Sequence, residues 1–214
     1  RRIRRELAIA RTGEEEPAPE QMRLAIRDVI THCIYGVDKN PLAVDLCKVA
    51  LWLEGHTTSK PLTFLDNRIR CGDSLVGVRD LSVLKEGIPD GAFTAFSTDD
   101  KVVAKNFKNI NKTQREHHPL SDFDVSMNKF TSYRQQMNAI ANDNIEDIRK
   151  KKELFSAFQE EGTAWCKDKT ASDLWTMPFF MDLKKEEYQN QNIPTTDTIR
   201  EYIDDNEHAN FPQV

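Results

Sequence analysis

Two short apolar runs in the first part of the chain each end close to an aspartate. A β-prone run near residues 33–38 ends at Asp38, and a second run near residues 68–72 is followed by Asp73. Both runs are too short for a helix, and turn-forming residues follow each of them. The pattern therefore predicts two strands with a carboxylate at the end of each.

The segment between these runs has the hydrophobic period of a helix. Asn40 can cap such a helix, Pro41 suits its first position, and Gly55 can end it. Apolar residues recur at three- and four-residue steps, at Leu42, Leu46, Val49, Ala50 and Leu53. We expect a helix over residues 41–54 that connects two parallel strands. Such a connection places the carboxyl ends of both strands at the same edge of a sheet, where nucleotide-like ligands bind.

The two aspartates are the candidate ligand-binding residues of this edge. The Asp38 carboxylate is suited to accept hydrogen bonds from the two hydroxyls of a ribose. The Asp73 carboxylate is suited to accept one from the exocyclic amine of an adenine. A purely structural interpretation also stays open, in which Asp38 caps the following helix and Asp73 belongs to an ordinary turn.

Beyond the second strand the pattern changes. Residues 97–128 are rich in Lys, Asn and Asp and have few apolar anchors, which predicts a partly mobile region or a peripheral helix. Apolar positions at helical spacing from Phe130 onward predict a helical hairpin, and residues 164–183 are a further helix candidate. Thr198 and Glu201 have the spacing of a capping box before a short terminal helix.

Composition excludes several classes of function. The net charge of −5 argues against a non-specific nucleic-acid clamp. A hydrophobic content of 38% predicts a modest α/β core and a solvated helical region.

No transmembrane segment or signal peptide is predicted, and we expect no membrane partner and a cytoplasmic, prokaryotic location. The cysteines lack zinc-ligand spacing, so we predict no metal site and four reduced core residues, at Cys33, Cys47, Cys71 and Cys166.

The two strand ends resemble the second and third motifs of S-adenosylmethionine-dependent, adenine-specific DNA methyltransferases of restriction-modification and phage-defence systems. The matching segments are Gly-Val-Asp-Lys-Asn-Pro at 36–41 and Cys-Gly-Asp-Ser-Leu at 71–75. The resemblance covers residues 1–96, including the string 83–90, and is weaker beyond them. It implies the α/β class, with a partial Rossmann-like methyltransferase sheet followed by a mainly helical insertion.

The same resemblance implies a cofactor, its binding residues and a partner. The donor S-adenosylmethionine would be bound by Asp38, Lys39, Asp73, Ser74 and Leu75, with Asp38 on the ribose and Asp73 on the adenine amine. In the intact enzyme the methyl group would pass to the exocyclic amine of an adenine flipped out of double-stranded DNA. Residues 1–96 would be a partial donor-binding region, and residues 97–214 a mainly helical insertion or linker.

Two motifs of the family are absent from the sequence. No Gly-rich turn precedes the first helical segment, and no Asn/Asp-Pro-Pro-aromatic sequence occurs, because none of the nine prolines adjoins another. The resemblance therefore implies a fragment with no catalytic residues, inactive alone, whose partner is the remainder of the methyltransferase chain. Two alternatives stay open. One is a non-catalytic helical scaffold or specificity module with a degenerate nucleotide-binding sheet. The other is a fragment of a nicotinamide-dependent dehydrogenase, in which the string 69–90 has no role.

Overall fold

The computed structural model of the chain describes residues 2–58, 60–117, 127–160, 163–185 and 193–204. In this part of the chain the helices are α1 (Arg2–Thr12), α2 (Pro19–Cys33), α3 (Pro41–Glu54), α4 (Lys101–His117), α5 (Met127–Ala139), α6 (Ile145–Phe158), α7 (Ala164–Thr176) and α8 (Thr196–Asp204). The strands are β1 (Gly36–Asp38) and β2 (Ile69–Cys71). Short 3₁₀ helices lie at Leu81–Glu86, Asp90–Phe93 and Met177–Phe179.

The chain packs as two units. The first unit contains Arg1–Leu75 and Thr131–Phe158, and the second contains Val76–Phe130 and Gln159–Val214. This grouping by packing does not follow the predicted boundary after residue 96. That boundary concerned a donor-binding region and an insertion, and it stays a prediction.

The two predicted strands pair in parallel, and α3 connects them. Gly36 lies opposite Ile69, and Asp38 lies opposite Cys71. The parallel pairing is therefore confirmed, and the mostly helical chain with this small sheet is compatible with the predicted mixed α/β class. The sheet itself is smaller than expected, because the described residues form only two strands of three residues each. The prediction of a Rossmann-like sheet was wrong for this part of the chain.

The first strand is shorter than predicted because α2 continues into its expected start. The helix ends at Cys33, and Ile34 then takes extended backbone angles (φ −99°, ψ 127°). The ladder with β2 begins only at Gly36. The helical period of α2 therefore overrides the β propensity of the residues around Cys33.

Helix α3 has the predicted bounds and the predicted caps. The Asn40 side chain accepts a hydrogen bond from the Leu42 backbone N–H at 3.0 Å, and Gly55 N–H donates to the Leu51 carbonyl at 2.9 Å. The inward side of the helix presents Val44 to a small core that also contains Ile30, Leu65 and Ile69. The opposite side carries exposed aliphatic side chains, at Leu42, Leu46, Val49 and Leu53.

The larger apolar core lies in the second unit. Its buried residues are Leu84, Ile88, Ala92, Phe93, Val103, Ala104, Phe107, Ala171, Leu174, Leu183, Ile193 and Ile199. We expected the core in the α/β region and a solvated helical region beside it. That expectation was wrong, because the larger core lies in the mainly helical second unit. Helix α4 buries one apolar face within the segment 97–128, where we expected a mobile region or a peripheral helix. Residues 118–126 of that segment lie outside the described residues.

A buried hydrogen-bond network holds the string 83–90 in this core. Asn111, which is fully buried, donates to the Ile88 carbonyl at 2.7 Å and accepts from the Thr196 N–H at 3.0 Å. The Thr196 hydroxyl in turn accepts from the Ile88 N–H at 3.1 Å. Trp175 Nε1 donates to the carbonyl of Gly87 at 2.9 Å. The string therefore has a packing role in the second unit.

Two local predictions need correction. The cysteines are not core residues. All four thiols are free, Cys33, Cys47 and Cys71 are exposed, and Cys166 is partly buried. Cys33 and Cys71 end the secondary-structure elements in which they lie, and Cys47 is an exposed residue of α3.

The capping-box prediction was also wrong, because α8 begins at Thr196 and contains the pair Thr198 and Glu201. Thr198 Oγ1 accepts a hydrogen bond from the Thr195 N–H at 3.0 Å. Thr198 thus acts from inside the first turn of the helix, not as its cap.

Candidate functional site

The backbone of the parallel sheet ties the two predicted site aspartates to one edge. Asp38 is the last residue of β1, and its carbonyl accepts a hydrogen bond from the Gly72 N–H at 2.9 Å. Gly72 follows directly after β2 and precedes Asp73. The turn that carries Asp73 therefore starts at the level of Asp38, and both residues lie at the carboxyl ends of neighbouring parallel strands.

Each aspartate uses one carboxylate oxygen to order the turn that follows it. Asp38 Oδ1 accepts a hydrogen bond from the Asn40 N–H at 2.8 Å. Asp73 Oδ1 accepts one from the Leu75 N–H at 2.9 Å. The Asp73 bond is the turn bond of a purely structural interpretation, whereas Asp38 does not cap α3, because Asn40 is the cap. Asp38 Oδ2 makes no hydrogen bond within the described part of the chain and is available as an acceptor for a ligand.

Lys39 links the two strand ends electrostatically. Its Nζ atom lies 2.7 Å from Asp73 Oδ2, and the side chain of Lys39 is 78% exposed whereas that of Asp73 is 25% exposed. The hydrogen bond to Asp73, together with the negative charge of that residue, raises the pKa of Lys39. A contact with such an exposed lysine is open to exchange with solvent or a ligand.

Ser74 and Leu75 complete the set of predicted site residues. Both are exposed in the turn after β2, and Leu75 has 94% of its surface accessible to solvent. An exposed aliphatic side chain beside a carboxylate can cover the face of a planar ring while the carboxylate accepts a hydrogen bond from the edge of that ring. All five predicted residues therefore lie at or just beyond the ends of β1 and β2.

Sequence reasoning did not single out three basic residues that the first unit buries. Arg27, Arg68 and Lys151 are 5%, 8% and 6% exposed. For Arg27 a signal was present, because it lies three residues before the apolar Ile30 on the same side of α2. The other two have no comparable signal, since Lys151 stands in a run of lysines and Arg68 in a connection.

No protein-family model matches the chain, and comparisons with curated proteins and with solved structures also find no match. Across the described ranges, no helix combines the length and the apolar character needed to cross a bilayer. The same residues bring together no group of three or more His, Cys, Asp or Glu side chains suited to a metal ion.

Proposed function

We propose that the chain contributes part of the S-adenosylmethionine site of an adenine-specific DNA methyltransferase. The observation that carries this proposal is the position of Asp38 and Asp73 at the carboxyl ends of adjacent parallel strands joined by α3. Ligands of open α/β sheets bind outside this edge. The resemblance of residues 36–41 and 71–75 to the family's second and third motifs supports the same assignment.

The available hydrogen-bond acceptors fit the nucleoside end of the donor. Asp38 Oδ2 would accept from the ribose hydroxyls, while its Oδ1 keeps the turn to Asn40 in place. Asp73 would exchange its exposed Lys39 partner for the adenine amine, and Leu75 would lie against the adenine ring. Lys39 and Ser74 would border the bound nucleoside. These residues position the donor, and none of them transfers a proton.

Catalysis would depend on groups that these residues do not supply. Methyl transfer to an adenine amine requires a polar group and a carbonyl that hold the amine, and an aromatic ring that stacks on the flipped base. In the family an Asn/Asp-Pro-Pro-aromatic turn supplies them, and this sequence contains no such turn. Double-stranded DNA would be bound by the whole enzyme, with the remainder of the methyltransferase chain.

A ligand titration followed by NMR tests the proposal directly. We expect S-adenosylmethionine and adenosine to shift the amide resonances of residues 38–40 and 72–75 weakly but saturably. Asp38→Ala and Asp73→Ala should reduce these shifts. Asp45→Ala is the matched control, because Asp45 is an exposed carboxylate on α3 outside the predicted site. Equal responses in all four proteins, or sub-micromolar binding, would contradict the assignment.

The same titration separates the alternatives. A response to a nicotinamide dinucleotide that exceeds the response to S-adenosylmethionine would favour the dehydrogenase. No response to either would favour the non-catalytic scaffold. The observation that favours a scaffold is the row of aliphatic side chains on the outward side of α3, of which Leu42, Leu46 and Leu53 are 75%, 69% and 74% exposed. Such rows are typical of surfaces that contact another protein segment.

A further inference from the structure

The first unit buries three basic side chains without burying an acidic one among its described residues. Arg27 donates hydrogen bonds to two neutral carbonyl groups, of Pro61 at 2.5 Å and of Asn142 at 2.9 Å. Lys151 donates to the side-chain carbonyl of the same Asn142 at 2.9 Å. Within the described chain, neither of these residues nor Arg68 forms an ion pair with a carboxylate. Asp143 and Asp28 act on Arg27, and Asp147 acts on Lys151, only through longer-range attraction. Buried charges are ordinarily paired directly, so the positive charge of this cluster is balanced only in part.

The electrostatics of the cluster agree with an excess of positive charge. Burial lowers the pKa of Lys151 to about 8, the charges of Arg68 and Arg27 lower it as well, and Asp147 opposes them. Burial also lowers the pKa of Arg27, and the charges of Asp143 and Asp28 oppose that shift. The guanidinium carbon of Arg68 lies 4.7 Å from the centre of the Tyr35 ring, and its buried Nη1 atom has no hydrogen-bond partner.

A cavity of about 290 Å³ opens onto Arg27, whereas Arg68 and Lys151 lie outside its wall. Arg27 and Asn142 form part of its wall, and Asn142 joins Arg27 to Lys151 through its backbone and side-chain carbonyl groups. Both hydrogen bonds of Arg27 come from Nη2. Its Nη1 and Nε atoms make none with the described residues, and they remain available as donors.

The other charged groups of the wall balance the charge of Arg27 only in part. They are Arg11, Asp28, His32, Lys60 and Asp143. Asp28 is paired with Arg11, and Asp143 is paired with Lys60 at 2.6 Å. Both carboxylates also attract Arg27, but each is shared with another basic side chain. The wall therefore carries three basic side chains, Arg11, Arg27 and Lys60, and two carboxylates.

We propose that this cavity binds a small phosphate-bearing anion. Its oxygens accept hydrogen bonds from Arg27 and Lys60, and its charge neutralises the cluster that includes Arg68 and Lys151. A phosphate fits because its oxygens accept donors from several directions, as a guanidinium and an ammonium group require. A freely diffusing molecule fits better than a duplex backbone, because Arg27 is only 5% exposed and lines a concavity.

The test compares substitutions of buried and exposed cations. The chain and the variants Arg27→Met, Lys151→Met and Lys150→Met are dialysed to equilibrium against labelled inorganic phosphate, pyrophosphate or a short DNA duplex. Lys150→Met is the matched control, since it removes the same charge from an exposed neighbour on α6. Lys151→Met should fold, because it replaces an unpaired buried charge by an unbranched apolar side chain.

We expect saturable binding of phosphate or pyrophosphate by the wild-type chain and by Lys150→Met, and binding weaker by about tenfold or more in Lys151→Met and Arg27→Met. Absence of saturable binding by the wild-type chain would overturn the proposal. So would equal affinity of the wild-type chain and Lys151→Met, or binding of the duplex in preference to both small anions. No residue of this cavity belongs to the donor site, so the outcome is independent of the proposed methyltransferase function.

Discussion

The Gly72 N–H donates to the Asp38 carbonyl at 2.9 Å, and this one backbone bond couples the two turns of the candidate site. Because the bond continues the ladder of the parallel strands, the relative position of the two turns follows from the sheet register and not from side-chain contacts. Substitution of either aspartate should therefore remove a ligand contact while leaving the strand pairing in place.

The first prediction concerns donor binding in the intact methyltransferase that we propose. Asp38→Ala should weaken S-adenosylmethionine binding by about ten- to a hundredfold, because it removes the acceptor of charge-assisted hydrogen bonds from the ribose. DNA binding measured without donor should change much less. Calorimetry gives the first quantity and fluorescence anisotropy the second. Equal losses in both would indicate a folding defect and not a donor contact.

The second prediction is that these 214 residues transfer no methyl group by themselves. The sequence has no Asn/Asp-Pro-Pro-aromatic turn to hold the adenine amine, and Asn40-Pro41 is followed by Leu42 and forms the start of α3. Incorporation of labelled methyl into adenine-containing DNA measures the activity, with an intact adenine-specific enzyme as the positive control. Turnover above background would show that catalytic groups exist where we place none.

The elements around the site could be predicted because their signals are local. Asn40, Pro41 and Gly55 fix the ends of α3 through contacts within four residues. The strand that ends at Asp38 and the turn that carries Asp73 follow equally from short runs and the turn residues after them. In these cases the sequence carries the whole signal, because the residues that interact are close together along the chain.

The remaining features depend on residues that are far apart in sequence. Arg27 is hydrogen-bonded to the Asn142 carbonyl, 115 residues away, and Asn111 is hydrogen-bonded to Thr196, 85 residues away. Hydrophobic periodicity identifies an apolar side of a helix but not what covers it. For this reason it could not foresee that Leu42 and Leu46 are exposed, or that α4 belongs to the larger core.

The third prediction compares two glycines with the same positive φ. Gly87 and Gly13 both have φ of 72°, where an L side chain is strained. A Cβ atom on Gly87 would lie 2.7 Å from Oγ1 of the buried Thr196, whereas one on Gly13 would meet no atom within 4 Å. Gly87→Ala should lower the free energy of unfolding by about 3 kcal/mol or more, and Gly13→Ala by about 1 kcal/mol. Urea denaturation measures both, and equal losses would contradict the clash.

The fourth prediction concerns the network around Asn111. Asn111→Ala leaves the Ile88 carbonyl and the Thr196 N–H buried without partners, and should cost about 3 kcal/mol of unfolding free energy. Asn109→Ala is the matched control on the same helix, because the Asn109 side chain is exposed, and it should change stability by no more than about 0.5 kcal/mol. Thermal or urea unfolding compares the two, and a small effect at position 111 would show that the network is dispensable.

The fifth prediction is a maximum of stability near pH 10. Lys151 has a pKa of about 8 in the folded chain, because of its burial and then its repulsion from Arg68. A lysine in the unfolded chain has a pKa of about 10.4. Between these values the unfolded chain binds more protons, so the free energy of unfolding should rise with pH, by roughly 2 kcal/mol from pH 8 to 10.

Above pH 10 the effect of Tyr133 has the opposite sign. Burial raises the pKa of this phenol to about 12, although the charge of Arg70 opposes the shift. Tyrosine in the unfolded chain loses its proton near pH 10, so the unfolded state is favoured as the pH rises from 10 through 12. Urea denaturation between pH 7 and 11 tests both halves of the profile. Lys151→Met should abolish the rise and Tyr133→Phe should reduce the fall, whereas a rise that persists in Lys151→Met would assign it to another group.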